Sequence, residues 1–168
     1  MGIVPRIYGR GWSTSDRVRG WLLVAAQFVL LAVLVFVPPG REGVMPGIVR
    51  SISLVLRVAG LVVIAGGAVK LGRSLSVHPK PPGKSELKTD GLYRHVRHPI
   101  YSGVLLLAAG IALTSGNPVS LTAFILLVPV IIYKARFEER LLRQRFPDYD
   151  EYARRTPAFI PRPGGLFL

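Results

Sequence analysis

Four long apolar runs constrain this chain more than any other feature of its sequence. The first, residues 21–37, has Gln27 as its only polar member, and at about 1.5 Å per residue it nearly crosses a hydrocarbon core of about 30 Å. The others cover residues 48–69, 99–113 and 118–133. The third is the shortest, and it can span by extending at its ends or where the bilayer is thinned. The runs predict an all-α integral membrane protein with about four transmembrane helices.

A short polar segment joins the third and fourth runs. It holds only residues 114–117, with Asn117 placed as the N-cap and Pro118 as the first residue of the next helix, where the missing N–H of proline does no harm. The two runs therefore predict a C-terminal helical hairpin. Its second arm continues past the apolar run, because four later apolar residues fall on one helix face, at positions 137, 141, 142 and 146.

Positive charge is concentrated in three segments around the runs. The chain has 22 Lys and Arg against 9 Asp and Glu, a net charge of +13, and 19 of the 22 lie in residues 1–20, 70–99 and 134–168. Cytoplasmic loops carry such an excess, so both termini and the 70–99 loop are predicted to be cytoplasmic. The Arg-, Gly- and Val-rich composition is typical of a bacterial protein and indicates the inner membrane. Topology and attraction to anionic lipid explain the charge, so no nucleic-acid partner is predicted.

Cysteine is absent from the sequence, which excludes a disulfide scaffold, a thiolate nucleophile and a zinc–thiolate site. Among the three histidines, His95 and His98 are three residues apart and His78 lies far upstream. No carboxylate stands beside them at a spacing typical of metal ligands. No metal site is therefore predicted.

The densest polar segment is residues 90–103, Asp-Gly-Leu-Tyr-Arg-His-Val-Arg-His-Pro-Ile-Tyr-Ser-Gly. Gly91 permits a turn with positive φ, and Pro99 suits the first turn of a helix. Free N–H groups at that helix start, beside Arg97 and His98, predict a site for an anionic group. Gly103 allows a helix or a ligand to approach closely. The alternative is a basic loop that only binds lipid headgroups, and the pattern leaves both open.

Glu138 and Glu139 form an acidic pair just beyond the fourth run. One interpretation is ion pairing at helical spacing with nearby basic residues, namely Lys134, Arg136, Arg140 and Arg143. The other is that a carboxylate here accepts hydrogen bonds from ribose hydroxyls or an ammonium group.

Arg57 interrupts the second run. A cation inside a membrane span is costly and often functional. We favour the alternative that its side chain extends toward the outer interface, assisted by Ser51 and Ser53.

Three segments of the C-terminal half together resemble a known family. They are residues 91–103, then Glu138-Glu139-Arg-Leu-Leu, and then residues 146–152 with 159–161. The combination resembles the isoprenylcysteine carboxyl methyltransferase family and the related membrane phospholipid methyltransferases. The similarity covers roughly residues 85–161. It implies one membrane methyltransferase domain, 1–168, with a two-span N-terminal region, 1–84, and a motif-bearing catalytic region, 85–161.

The resemblance implies an S-adenosyl-L-methionine-dependent methyltransferase with a cytoplasmic cofactor pocket between the loop before the hairpin and the helix after it. The acceptor would be a hydrophobic, lipid-like or isoprenoid small molecule, methylated on a carboxylate oxygen or an amine. Carried over residue by residue, cofactor binding falls to Leu87, Lys88, Tyr93, His98, Pro99, Ile100, Tyr101, Glu138 and Glu139. Substrate orientation falls to Lys134, with Arg136 as a competitor, and to Arg97. Pro147 stands where the family usually has glycine.

Two other classes of function remain open. Membrane sterol-type reductases, which use NADPH, share a related C-terminal pattern, although the Glu138-Glu139 pair argues against a site for a 2′-phosphate. The third class is a non-catalytic membrane protein whose loop binds anionic lipid. The acceptor itself is not identified, because generic Leu, Val and Ile would line its cleft.

Overall fold

The computed structural model describes residues 14–40, 46–72 and 87–161. These residues form six helices: α1 Thr14–Phe36, α2 Gly47–Leu71, α3 Leu92–His95, α4 Pro99–Ser115, α5 Pro118–Arg145 and α6 Tyr149–Arg155. The all-α prediction is therefore confirmed for this part of the chain. Residues 1–13, most of the predicted cytoplasmic loop including His78, and residues 162–168 lie outside the described residues.

Three helices, α1, α2 and α5, are long and apolar enough to cross a membrane, and α4 is a shorter apolar helix of 17 residues. Their outward faces carry exposed large side chains, including Leu22, Val29, Val55, Leu61 and Ile125. Such surfaces suit contact with lipid and indicate an integral membrane protein. That α4 also crosses the membrane, as the fourth span, stays a prediction.

The α4–α5 connection forms as the sequence predicts. Asn117 is the N-cap of α5, and its side chain accepts a hydrogen bond from Val119 N at 2.9 Å. Its amide nitrogen also donates to Pro38 O at 2.9 Å, so the turn holds the segment after α1. Pro118 begins α5. The helix continues to Arg145, with Phe137 and Leu141 buried on the predicted face.

Glycines bring α2 and α4 into close contact. A Cβ atom added at Gly60 would lie 2.6 Å from Leu107 N, and one at Gly103 would lie 2.7 Å from Gly60 O. Farther along, a Cβ at Gly110 would lie 2.7 Å from Ser53 O. These distances leave no room for side chains, so the two backbones pack directly against each other.

The other face of α4 packs on α1 and α5. The buried cluster between these three helices contains Leu34, Ala108, Ala112, Ala123, Leu127 and Ile131. Alanines of α4 face Leu34, Leu127 and Ile131 from α1 and α5, which gives a close-packed cluster of apolar side chains. The helix α4 is thus held on two sides, and its first turn has a fixed position.

Arg57 lies in the contact between α2 and α4. Its Nε donates to Ser53 O at 3.3 Å, and one Nη donates to Thr114 Oγ1 at 3.0 Å. Thr114 is in the last turn of α4, so the guanidinium points toward the α4–α5 turn, the end predicted to be outside. Ser51 is exposed, and Ser53 contributes its backbone oxygen, while its hydroxyl donates to Val49 O.

Candidate active site

The loop before α4 is built from residues 87–98. Gly91 has a φ of 60°, the positive value expected for its turn, and the short helix α3 follows. Tyr93 in α3 is buried, and its hydroxyl lies 3.5 Å from Gly67 O on α2. Pro99 then begins α4. The loop thus packs against one end of α2, which the charge pattern predicts to be the cytoplasmic end.

The segment after α6 pairs with this loop through its backbone. Arg97 N donates to Pro157 O at 2.8 Å, and His98 N donates to Ala158 O at 3.0 Å. Ser102 Oγ donates to Phe159 O at 2.8 Å. These bonds satisfy backbone groups next to the start of α4 that would otherwise lack partners.

Tyr152 of α6 holds the loop at a second point. Its hydroxyl donates to Tyr93 O at 2.6 Å. Burial raises the pKa of Tyr152 to about 12, although the nearby Arg97 guanidinium opposes the shift. Burial also raises the pKa of Tyr93, and the negative charge of Glu138 adds to the effect. Both phenols therefore remain protonated hydrogen-bond donors at neutral pH.

Glu139 is the buried centre of an ion-pair network and is only 6% exposed. Its Oε1 accepts from Arg97 Nε at 2.9 Å and lies 3.0 Å from His98 Nε2. Its Oε2 lies 3.4 Å from an Nη of Arg143. Charge-assisted bonds of this kind are strong when buried, so Glu139 connects α5 to the loop before α4.

The remaining donors of Arg97 are also engaged. Its Nη1 donates to Ala153 O at 2.9 Å and to Thr156 O, both at the end of α6. The guanidinium therefore joins three segments: the loop that carries it, α5 through Glu139, and α6. Its Nη2 also lies 2.8 Å from Glu139 Oε1, so each of its three nitrogens contacts an oxygen of the protein.

Glu138 has different surroundings from its neighbour. It is half-buried, and its Oε2 accepts a hydrogen bond from Tyr101 Oη at 2.9 Å. Its other oxygen has no hydrogen-bond partner among the residues that the structure describes. The Tyr101 ring stacks on His98 at 5.5 Å between ring centroids. Glu138 thus presents one free carboxylate oxygen next to the loop.

Lys134 lies one helical turn before Glu138 and is only 3% exposed. Its Nζ donates to Gln27 Oε1 at 2.7 Å, which connects α5 to α1, and it lies 5.3 Å from the centroid of the Tyr101 ring. The negative charge of Glu138 also acts on this ammonium. Gln27 is its one hydrogen-bond partner among the described residues, so two of its three N–H bonds are available.

The other predicted site residues are spread around this cluster. Pro99 and Ile100 pack against α2, where a Cβ added at Gly67 would lie 2.8 Å from Ile100 Cγ1. Leu87 and Lys88 are half-buried at the start of the described loop. Arg136 is exposed, and in the described residues no hydrogen bond or ion pair joins it to the two glutamates. The structure therefore brings together Arg97, His98, Tyr101, Lys134, Glu138 and Glu139.

Sequence reasoning assigned no site role to several residues that the structure places here. Gln27 is the one polar residue of its apolar run, and this isolation is the sequence signal by which it could be found. Tyr149, Thr156 and Phe159 fall in or beside the C-terminal motif segments, yet their contacts could not be read from spacing. In residues 14–40, 46–72 and 87–161, no group of three His, Cys, Asp or Glu is placed to hold a metal ion.

Comparison with known proteins decides the family. Residues 49–149, from α2 to the start of α6, match the family model of phospholipid methyltransferases. The chain belongs to this family. The matched range includes Arg97, His98, Tyr101 and both glutamates, and the resemblance expected from the sequence is confirmed.

Relatives carry two kinds of name. A probable protein-S-isoprenylcysteine O-methyltransferase of Oryza sativa subsp. indica is 33% identical over 152 residues, covering 83% of this chain and 78% of that protein. The nickel-cobalt-cadmium resistance protein NccN of Alcaligenes xylosoxydans xylosoxydans is 42% identical over 82 residues, 46% of this chain and 37% of that protein. The cobalt-zinc-cadmium resistance protein CzcN of Cupriavidus metallidurans is 44% identical over 80 residues, which cover 45% of this chain and 36% of that protein. The chain therefore matches little more than a third of the two resistance proteins.

Proposed function

We propose that this protein is an integral membrane methyltransferase that uses S-adenosyl-L-methionine to methylate a lipid-like or isoprenoid acceptor. The observation that carries the proposal is the placement of Glu138. One of its oxygens is fixed by Tyr101, and the other is free beside a loop that Glu139 holds in place. Family membership and the names of relatives such as the rice protein support the same activity.

The residues present fit the cofactor. S-adenosyl-L-methionine carries ribose hydroxyls and an ammonium group, and a free, half-buried carboxylate oxygen is a strong acceptor for either. Glu138 would hold one of these groups while Tyr101 keeps its carboxylate oriented. His98 and Tyr93, fixed by the same loop, would lie along the cofactor. When bound, the cofactor supplies an electrophilic methyl group on its sulfonium.

Positioning is the main task left to the protein, because transfer of a sulfonium methyl group requires the acceptor atom in line at about 3–3.5 Å. Lys134 is suited to orient the acceptor, since its buried ammonium keeps free N–H bonds next to Tyr101. A cation there attracts a carboxylate and repels a protonated amine. Of the two acceptor chemistries, the site therefore favours O-methylation of a carboxylate, which requires no general base.

The location of the site supports a membrane-embedded acceptor. The start of α4 and the end of α5 lie at the same end of the helical hairpin, opposite the Asn117 turn. The apolar part of the acceptor would stay among the helices while its reactive end meets the polar cluster. The basic residues around this end favour the cytoplasmic side, so we propose a cytoplasmic active site and four spans.

Binding of two ligands to the purified protein tests this function. We expect S-adenosylhomocysteine to bind and to raise the melting temperature in detergent, whereas NADPH does neither. Isothermal titration calorimetry and a thermal-shift series measure both on the same preparation. Stabilisation by NADPH alone would replace the proposal with a sterol-type reductase. Binding of neither ligand would contradict it and favour the lipid-binding loop.

A further inference from the structure

Arg57 carries a positive charge in the middle of α2, where the surrounding helices offer it no negative partner. Its Nε and Nη2 donate to Ser53 O and Thr114 Oγ1, which are both neutral acceptors. Residues 46–60 and 107–125, the described parts of α2, α4 and α5 at this end, contain no Asp or Glu. A cation inside a membrane span is costly without a compensating charge. The guanidinium therefore calls for an anionic partner outside these residues.

The Arg57 guanidinium is accessible to a ligand. Its Nη1 has no hydrogen-bond partner in the described part of the chain, and this atom is not buried. The residue as a whole is half-buried. Beside it on α2, Leu54 and Val58 are 58% and 52% exposed, as on a surface that contacts lipid. A ligand that reaches Arg57 along this surface therefore comes from the membrane.

A second arginine, Arg50, lies at the height that the Arg57 guanidinium reaches. The helices α2 and α4 are antiparallel, and Ser53 O lies against Gly110. About one turn farther along each helix, this register brings Arg50 level with Thr114, to which Arg57 donates. The Arg57 side chain points the same way, because helical side chains lean toward the N-terminus of their helix. Two cations thus lie at one end of the contact between α2 and α4.

We propose that Arg57 and Arg50 bind the phosphate of an anionic phospholipid beside the α4–α5 turn. The guanidinium presents N–H groups that match the oxygens of a phosphate, and basic pockets between transmembrane helices bind lipid headgroups. The charge pattern predicts that this end faces outward, so the lipid belongs to the outer leaflet. The inference does not depend on methyl transfer, because Tyr101 and Glu138 lie at the opposite end of the hairpin.

Lipid titration of the detergent-purified protein, measured by native mass spectrometry, tests the site. Wild-type protein should bind one phosphatidylglycerol molecule more tightly than phosphatidylcholine with the same acyl chains. Arg57→Gln should weaken this binding about tenfold, the effect expected for the loss of one charge-assisted hydrogen bond. Arg50→Gln should weaken it by a smaller factor. Arg154→Gln removes an exposed arginine of α6 and is the matched control, which should bind the lipid as the wild type does.

Several results would overturn the inference. Unchanged lipid binding by Arg57→Gln would leave Arg57 as a bridge between α2 and α4 only, and equal weakening in Arg154→Gln would show that binding follows net charge. Equal affinity of the wild type for the two lipids would rule out recognition of an anion. Displacement of phosphatidylglycerol by inorganic phosphate would assign the site to a free anion. If Arg57→Gln does not fold, because it also loses the bond to Thr114, undiminished binding by Arg50→Gln would overturn the proposal.

Discussion

Glu138 and Glu139 are adjacent on α5 but serve different parts of the molecule. Neighbouring helical residues point about 100° apart, so Glu139 enters the network of Arg97 and His98 while Glu138 meets Tyr101. Glu139 has partners on both oxygens, whereas Glu138 keeps one oxygen free among the described residues. The same side chain thus has a structural task at one position and a proposed binding task at the next.

Substitution of each glutamate by glutamine separates these tasks. Glu138→Gln should weaken S-adenosylhomocysteine binding by about 1.5–3 kcal/mol, roughly tenfold to over a hundredfold, with little change in melting temperature. Glu139→Gln should lower the stability by about 3 kcal/mol, because it removes the buried charge that balances the largely enclosed guanidinium of Arg97. Calorimetry and thermal unfolding in detergent distinguish the two. If both substitutions have equally small effects on ligand binding and on melting temperature, the two glutamates form only surface ion pairs.

Gln27 and Lys134 form a second buried pair, between α1 and α5. Gln27→Leu should lower the free energy of unfolding by about 1–3 kcal/mol, because it leaves a buried ammonium without its acceptor. Gln27→Glu keeps the acceptor and serves as the control. Adding Lys134→Met to Gln27→Leu should restore much of the loss, since apolar partners can replace a buried polar pair. Additive losses in this double-mutant cycle would show that the two residues are not coupled.

These contacts between side chains could not be predicted from the sequence. Helical periodicity predicted that the helix continues past the fourth run, but it could not show which partners each of the two glutamates meets. Gln27 stood out as the one polar residue in its run, yet its partner lies 107 residues away. Local patterns hold no information on such a distant pairing.

At the level of elements, the glycine contact between α2 and α4 sets the position of the first turn of α4. Gly60 and Gly103 let the two backbones meet, and Pro99 and Ile100 pack against Gly67 near the site. A shift of α4 along α2 would move Tyr101 relative to Glu138, so the geometry of the site depends on this contact.

Adding one methyl group to the contact tests its importance. In Gly103→Ala the new Cβ would lie 2.7 Å from Gly60 O, so the helices must separate, and overpacking of this kind costs about 1–3 kcal/mol. Gly47→Ala is the matched control, because nothing lies within 4 Å of its Cβ position. Melting temperatures in detergent should fall for the first variant alone. An unchanged melting temperature for Gly103→Ala would show that α4 can move away from α2 without loss of stability.

The helices themselves were largely predictable. The apolar runs 48–69 and 118–133 lie within α2 and α5, and the Asn117 cap was placed correctly. Apolar runs and caps are local signals, which is why they succeed. The backbone pairing of residues 97–98 with 157–158 joins segments 60 residues apart, and only the packed helices bring them together.

At the scale of the whole molecule, the charge distribution predicts one orientation in the membrane. Nineteen of the 22 basic residues fall in the terminal segments and the 70–99 loop, so these parts should face the cytoplasm. Reporter fusions at Leu168 and within residues 80–88 should both give a cytoplasmic signal. A signal from the opposite side at either place would contradict the four-span arrangement and the cytoplasmic site.

The pairing of residues 97–98 with 157–158 also has a consequence for the order of assembly. Translation produces α1 to α4 well before it reaches residue 157, so these four helices can enter the bilayer and pack while the segment that completes the site is still unmade. During that interval Arg97 lacks the carbonyl oxygens of Ala153 and Thr156 that later hold it. Biosynthesis therefore has a built-in sequence, in which most of the membrane body forms first and the proposed methyl-donor site is completed last.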